Sequence, residues 1–317
     1  MSSHADDNEL YQLLLDRTGK LHLQQRLGIE SESEHRVFHK GRTFFHIENL
    51  DSLDTLIRLT LRITGLHGRG QRNALNIQTR HNDIYLKHLP TAFSGYTLLH
   101  LSDLHLDMNE QFTDVLINKL KNINYDLCIM TGDYRYLTWG PSDKAMACLK
   151  KVRSHIRTPV YAILGNHDSI RTVPAMEKMD IRMLLNESAH IEHHGDSLYL
   201  AGIDDPHYFR ADNLEKACRN IPSDAVSLLL AHSPEIYKQA AYAGFDVMFS
   251  GHTHGGQIKM PGGRAFTYNA KCPRYLCAGR WRHGAMQGYT SVGAGSSIVD
   301  VRFNCPPEIT LHQLLKC

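Results

Sequence analysis

The chain has 317 residues, 42% of them hydrophobic and 21% charged, with 35 Lys+Arg against 33 Asp+Glu and a formal net charge of +2. These values fit a folded globular protein with a sizeable core, and they exclude a strongly basic nucleic-acid coat and an acidic disordered chain. One count stands out, the 21 histidines; histidine is the commonest metal ligand and the usual acid–base group near neutral pH.

The chain begins Met-Ser-Ser-His-Ala-Asp-Asp, without a basic region leading into an apolar stretch, so no signal peptide is expected. No run reaches the roughly 18–20 apolar residues of a membrane span. The seven cysteines, Cys128, Cys148, Cys218, Cys272, Cys277, Cys305 and Cys317, are irregularly spaced and include no Cys-x-x-Cys. That pattern argues against a disulfide framework or a zinc ribbon and points to a reducing, cytoplasmic location. Cys128 sits in an apolar run and reads as a small buried hydrophobe.

Asp51–Leu66 reads as a helix, with Asp51 or Ser52 as its N-cap and Gly65 or Gly68 near its end. Leu53, Leu56, Ile57, Leu59, Leu61, Ile63 and Leu66 cover a wide arc, and Arg58 and Arg62 fall on the narrow polar face. Such a helix either packs on the following domain or meets anionic lipid. From Tyr96 onward short apolar runs predict buried strands at Tyr96–Leu101, Asp126–Met130, Val160–Leu164, Leu198–Ile203, Val226–Ala231 and Asp246–Phe249. Helical stretches at Glu110–Ile123, Ser142–Ile156 and Ala211–Arg219 alternate with them, which predicts an α/β domain.

The chemistry sits just past the strand ends. Five loops carry Ser102-Asp103-Leu104-His105, Thr131-Gly132-Asp133, Gly165-Asn166-His167-Asp168, His232-Ser233-Pro234 and Gly251-His252-Thr253-His254. Ligand sites of open α/β sheets gather at the carboxyl ends of strands. Asp, His and Asn are O/N donors suited to divalent Mn, Fe, Zn or Mg. Each block alone is a weak signal; all five in this order are not accidental.

On these blocks the chain resembles the calcineurin-like metallophosphoesterase superfamily from about Ile84 to the C-terminus. The resemblance implies a four-layer α/β/β/α sandwich with two mixed sheets, residues 1–90 being an N-terminal accessory segment and residues 91–317 the catalytic domain. It implies two divalent metal ions, with manganese the first choice. Asp103, His105 and His254 would ligate one, Asn166, His232 and His252 the other, and Asp133 would bridge them. A hydroxide held by the metals would be the nucleophile. His167 would protonate the leaving oxygen, with Asp168 as its partner or as the N-cap of the next helix.

Gly251–Val299 holds Lys259, Arg264, Lys271, Arg274, Arg280 and Arg282 but no acidic residue. This reads as a solvated basic loop or as a positive wall for a phosphorylated substrate or anionic membrane. Arg135, Arg274, Asp205 and His207 are candidate substrate contacts. Gly251–Gln257 and Arg302-Phe303-Asn304-Cys305-Pro306-Pro307-Glu308-Ile309 resemble a bacterial branch with membrane-associated phosphohydrolases and a UDP-2,3-diacylglucosamine pyrophosphatase. The expected activity is hydrolysis of a phosphodiester or pyrophosphate, on a lipid-linked or nucleotide-sugar substrate, in the cytoplasm or peripherally on the inner membrane. A nucleotide phosphodiesterase, a nuclease and a non-catalytic scaffold of the same fold are the alternatives. Phe266, Tyr268, Tyr275, Trp281 and Tyr289 in the basic stretch keep a nuclease open, although nucleic acid is the less favoured partner.

Overall fold

The computed structural model describes the backbone of residues 2–38, 51–265 and 267–317, and the side chains of residues 8–32, 55–265 and 267–317. The side chains of Asp51, Ser52 and Leu53, and all of Phe266, lie outside the described residues.

Two helices open the chain, α1 (Ser2–Thr18) and α2 (Lys20–Phe38). Gly19 joins them at a φ of 86°, a conformation that suits a residue without Cβ. Neither was predicted, because neither carries a continuous apolar stripe; Leu14 and Leu23 are nevertheless fully buried. Then come α3 (Asp51–Ile63) and α4 (His67–Ala74). Helix α3 stops at Ile63, short of the expected Leu66. The Leu66 N–H donates to the Leu61 carbonyl and the Gly65 N–H to the Arg62 carbonyl, so the glycine closes the helix.

The remaining elements are β1 (Gln78–Leu86), β2 (Thr97–Leu101), α5 (Phe112–Leu120), β3 (Leu127–Met130), α6 (Asp143–Arg153), β4 (Val160–Ala162), α7 (Val173–Glu177), β5 (Ile181–Met183), β6 (Glu187–His193), β7 (Asp196–Gly202), α8 (Leu214–Cys218), β8 (Ser227–Leu230), α9 (Tyr237–Tyr242), β9 (Val247–Ser250), β10 (Gly279–His283), β11 (Met286–Thr290) and β12 (Glu308–Lys316). All six predicted strands and all three predicted catalytic-domain helices are present, mostly shorter than read.

The strands form two six-stranded sheets, ordered β1-β12-β2-β3-β4-β5 and β10-β11-β9-β8-β7-β6. Both are mixed: β12 runs antiparallel to β2 in the first, and β6–β7 and β10–β11 are antiparallel in the second. Side chains alternate across each strand. In β2 and β3, Leu98 and Ile129 face one core, and Leu99, Cys128 and Met130 face another. In β8, Leu228 and Leu230 join Leu98 and Ile129 between the sheets, while Leu229 faces outward with Ala217 and Ala240 of α8 and α9. Helices α5 and α6 cover the first sheet through Leu116, Leu120, Leu149 and Val152, and Leu14 and Leu23 of α1 and α2 join the same core. Three cores separate four layers, the expected α/β/β/α sandwich. Edge strand β1 pairs with β12 from Gln78↔Glu308 to Leu86↔Lys316, so residues 78–86 of the N-terminal segment belong to the first sheet.

Two histidines are sealed between the sheets. His100 Nδ1 lies 3.2 Å from His312 Nε2, His100 Nε2 lies 2.9 Å from Thr131 Oγ1, and His312 Nδ1 lies 2.8 Å from Asn82 Nδ2. Burial pushes His100 down from 6.5 to about 3, and burial with the neighbouring His100 holds His312 well below the usual range. The folded state keeps both rings neutral, whereas the unfolded chain takes up protons near the ordinary value. The pair's contribution is therefore full above about pH 6.5 and is lost as pH falls towards the lowered folded values. Between pH 6.5 and pH 5 the His100 ring is expected to cost about 2 kcal/mol of stability, and His312 adds a loss of the same sign. Urea unfolding at pH 7 and pH 5 checks this: His312→Gln should lose less on acidification than the wild type, and an equal loss would refute the assignment.

Candidate metal centre

Each predicted loop ends a strand at the same edge of the sandwich, and the sheets bring them into one buried centre. Asp103, His105 and His254 form one group of donors, and Asp133, His232 and His252 a second; within each group the donor atoms lie within 4.8 Å of one another. Asp133 links the groups. Its Oδ2 is 3.7 Å from His105 Nε2, 3.3 Å from His232 Nε2 and 3.9 Å from His167 Nε2. The Asn166 Oδ1 lies 2.9 Å from His232 Nε2 and 2.8 Å from His252 Nδ1. His105 Nε2 and His254 Nε2 are 3.2 Å apart, two ring nitrogens converging on one point.

Backbone carbonyls fix which ring nitrogen faces inward. His105 Nδ1 faces the Arg135 carbonyl at 2.8 Å and His232 Nδ1 the Thr131 carbonyl at 2.7 Å, so each presents Nε2 to the centre. His252 is reversed, with Nε2 2.9 Å from the Asn269 carbonyl and Nδ1 inward. Such outer contacts set the tautomer of a ligand histidine.

The loops that do this are strained. Asp103, His105, Asp133, His252 and His254 have φ between 40° and 70°, the left-handed region that non-glycine residues rarely occupy. A run of such residues at one site marks a conformation imposed by tertiary structure. Two glycines supply room. A Cβ on Gly165 would collide with the Asp133 carboxylate and the His232 ring, and one on Gly251 with Ser102 Oγ and the Asp103 carboxylate.

The charges want cations. Burial pushes the Asp103 carboxyl up to about 7, against the pull of His232. Burial opposes ionisation of Asp133 too, but His232, His167 and His105 together hold it well below the usual carboxylate range. His232 is raised despite its own burial, because it faces Asp133, Asp103 and Asp205. Burial and like-charged neighbours lower His105 to about 4 and hold His254 well below the usual imidazole range. A buried cluster of two carboxylates, four inward imidazoles and one amide oxygen fits two divalent cations in donor type and in number.

Five other expected site residues complete the picture. The Asp168 carboxylate neither caps a helix nor partners the His167 ring. It accepts from the Gly165, Asp133 and Tyr134 N–H groups at 2.8, 2.7 and 2.9 Å, tying two of the loops together. Ser169 caps the next turn, and His167 Nδ1 meets the Tyr136 carbonyl. Arg135 is buried, and its nitrogens donate to the carbonyls of His167, Gly140 and Thr138 at 2.5, 2.8 and 2.9 Å, so it holds the loops together. Asp205 is fully buried and shapes its own loop by accepting from the N–H groups of His207, Tyr208 and Phe209. His207 stays beside the centre, its ring centroid 4.3 Å from that of His252 and its Nδ1 3.0 Å from Glu235 Oε1. Arg274 is exposed on the 258–278 loop. Sequence reasoning missed Arg302, a fully buried side chain whose Nη2 donates to the Val292 carbonyl at 2.7 Å and lies 3.2 Å from His254 Nδ1. Its signal was the late Arg-Phe-Asn-Cys-Pro-Pro motif, noted as a likeness and not as a support.

The Calcineurin-like phosphoesterase family profile matches residues 96–256, about half of the chain. The metallophosphoesterase YkoQ of Bacillus subtilis (strain 168), described as uncharacterised, is 28% identical over 256 residues, 78% of this chain and 93% of that protein. The phosphodiesterase YaeI of Escherichia coli (strain K12) is 28% identical over 200 residues, 60% of this chain and 70% of that one. A transmembrane protein with metallophosphoesterase domain from Bos taurus is 28% identical over 228 residues, 65% of this chain but only 50% of its own length, so the chain spans about half of that relative. Every donor from Asp103 to His254 lies inside the matched region, and with that donor set gathered on two mixed sheets the chain belongs to the calcineurin-like metallophosphoesterase superfamily and is a metal-dependent hydrolase.

Proposed function

We propose that the centre hydrolyses a phosphodiester or pyrophosphate bond in a phosphorylated substrate carrying a lipid or a nucleotide sugar, UDP-2,3-diacylglucosamine being the representative case. The observation that carries the hydrolytic reading is Asp133, one carboxylate placed between two complete donor groups. Asp103, His105 and His254 would hold one cation, Asn166, His232 and His252 the other, and Asp133 both. Two divalent cations, manganese by preference, supply charge neutralisation at the phosphoryl oxygens and lower the pKa of water. Asn166 binds without adding charge, which leaves the site net positive for an anion. His167 takes the acid role: its Nδ1 faces the Tyr136 carbonyl, and its Nε2, 3.9 Å from Asp133 Oδ2, would give a proton to the leaving oxygen.

Two features support a lipid-linked substrate and a peripheral place on the cytoplasmic face of a membrane. Leu56, Leu59, Ile63 and Leu66 line one side of α3 and its end and are 40–77% exposed, and among the described residues nothing covers them. The opposite side of the same helix reaches towards the centre: Arg58 Nη2 and Tyr136 Oη both reach the Ile298 carbonyl, at 3.3 and 3.0 Å. The exposed Arg264, Lys271 and Arg274 add positive charge on the loop beyond His254. Among the described residues no helix is long and apolar enough to cross a membrane. The YaeI relative, described as a phosphodiesterase, supports the bond type.

Three experiments test this reading. Chelator-stripped wild type titrated with Mn²⁺ should bind two equivalents by calorimetry, and Asp133→Asn should lose tight binding of both; full occupancy in the variant would refute the bridging role. His167→Ala should keep its metal and lower turnover of bis-p-nitrophenyl phosphate by about 10²-fold, and unchanged turnover would remove His167 from the mechanism. A Mn²⁺-supplemented panel of UDP-2,3-diacylglucosamine, cyclic nucleotides and single-stranded DNA should favour the first; preference for either of the others would replace the lipid-linked reading.

A further inference from the structure

Helix α2 lies outside the region matched by the family profile, yet its inner face grips two loops at the strand ends. His22, Gln25, Arg26 and Glu30 share that face at helical spacing. Glu30 accepts from Ser169 Oγ at 2.6 Å and from the Ile170 N–H at 2.9 Å. Arg26 Nη2 donates to the Asp168 carbonyl at 2.9 Å. Gln25 Nε2 donates to the Phe209 and Arg210 carbonyls at 2.7 and 2.8 Å. His22 Nε2 lies 2.6 Å from Asp204 Oδ2, and Arg26 Nε lies 3.4 Å from the same oxygen.

Arg26 is the unusual member. It has no solvent exposure, and its guanidinium lies 3.5 Å over the Phe209 ring. A buried ion pair is seldom more stabilising than apolar residues of similar size, so its use here calls for a role in geometry. That role is visible one residue away. The Asp168 carbonyl is held by Arg26, and the Asp168 carboxylate holds the Gly165, Asp133 and Tyr134 N–H groups. The preceding carbonyl, that of His167, is held by Arg135. The loop bearing Asn166 and His167 is thus pinned at successive carbonyls by two buried arginines, one from the phosphoesterase fold and one from the N-terminal helix. Arg26 and His22 also keep Asp204 below the usual carboxylate range despite its burial, so the anchor stays charged.

We propose that Arg26 is a positioning residue for the reaction: it fixes the 165–168 loop, and through it Asn166 and His167, making α2 part of the catalytic apparatus. The inference rests on the hydrolytic reading above. The test compares full-length Arg26→Met, Arg26→Lys, Glu30→Gln and Gln25→Ala with wild type. Bis-p-nitrophenyl phosphate is the substrate at saturating Mn²⁺, with bound metal, melting temperature and amide hydrogen exchange measured alongside. Arg26→Met should lose about tenfold or more in kcat, with KM within about twofold and metal retained. Lysine, which still offers a donor to the Asp168 carbonyl, should recover part of that loss. Gln25→Ala, which removes the hydrogen bonds to the Phe209 and Arg210 carbonyls, should lower the melting temperature and leave kcat within about twofold. Exchange of the Gly165 and His167 amides should speed up in Arg26→Met and not in Gln25→Ala.

Wild-type kcat in folded Arg26→Met, or an equal loss in Gln25→Ala, would overturn the proposal. Should Arg26→Met fail to fold, Glu30→Gln carries the test: it should speed exchange at Ile170 and lower kcat by about threefold or more, and no change in either would overturn the proposal. Should the wild type be inactive on every phosphoester tried, the hydrolytic reading fails, and faster Gly165 and His167 exchange in Arg26→Met still decides whether Arg26 holds the loop.

Discussion

A buried carboxylate has to be neutralised where it sits, and Asp133 is the point at which this chain meets that demand. Its oxygens lie among His105, His167 and His232, out of reach of bulk water, and they stay ionised only because those imidazoles face them. Every neighbouring feature serves the same electrostatic need. His232 is drawn towards protonation by Asp133, while Asp103 is drawn towards neutrality by its burial. Protons make an imperfect substitute for two divalent cations in such a place, because they satisfy one acid at a time, whereas a cation shared by several donors satisfies them together.

That arrangement is dictated by backbone as much as by side chains. The candidate donors Asp103, His105, Asp133, His252 and His254 occupy left-handed conformations that none of them would choose alone. The strain is held by the sheets on one side and by hydrogen bonds on the other: Asp168 gathers three N–H groups, Arg135 three carbonyls, and Arg302 the carbonyl of Val292 beside His254. Three charged side chains that read from sequence as chemistry or as a family likeness are, in the fold, the scaffold of the site. A charged group able to hold several backbone groups at once is well suited to fixing an irregular loop, since each bond is stronger than one between neutral partners.

The N-terminal helices extend this scaffold beyond the sandwich. Leu14 and Leu23 join the first sheet's outer core, while the polar face of α2 closes on the loops after β4 and β7. Helix α3 behaves in the opposite way, leaving Leu56, Leu59 and Ile63 exposed. The described residues of the N-terminal segment therefore present two kinds of surface, one that hydrogen-bonds to the loops of the centre and one that is apolar and exposed, and β1 adds an edge strand to the sheet itself.

The histidine excess divides in the same way. His105, His232, His252, His254 and His167 were legible in the sequence, because short motifs after apolar strands place ligands by local geometry: a strand end and a tight turn fix direction within a few residues. The α/β class and six of the strands were legible for the same reason, since burial on both faces leaves an apolar run. His100 with His312, His22 with Asp204, and His207 with Glu235 were not, because each pair joins residues far apart in the chain. The pairing of β1 with β12 and the exact hold of Arg26 on Asp168 are of the same kind. The sequence by itself determined the donor set and the order of its loops, because these depend on neighbours along the chain. Only the tertiary structure decided which charged residues bind and which brace, because a side chain's role depends on what faces it across the fold, and spacing carries no record of that.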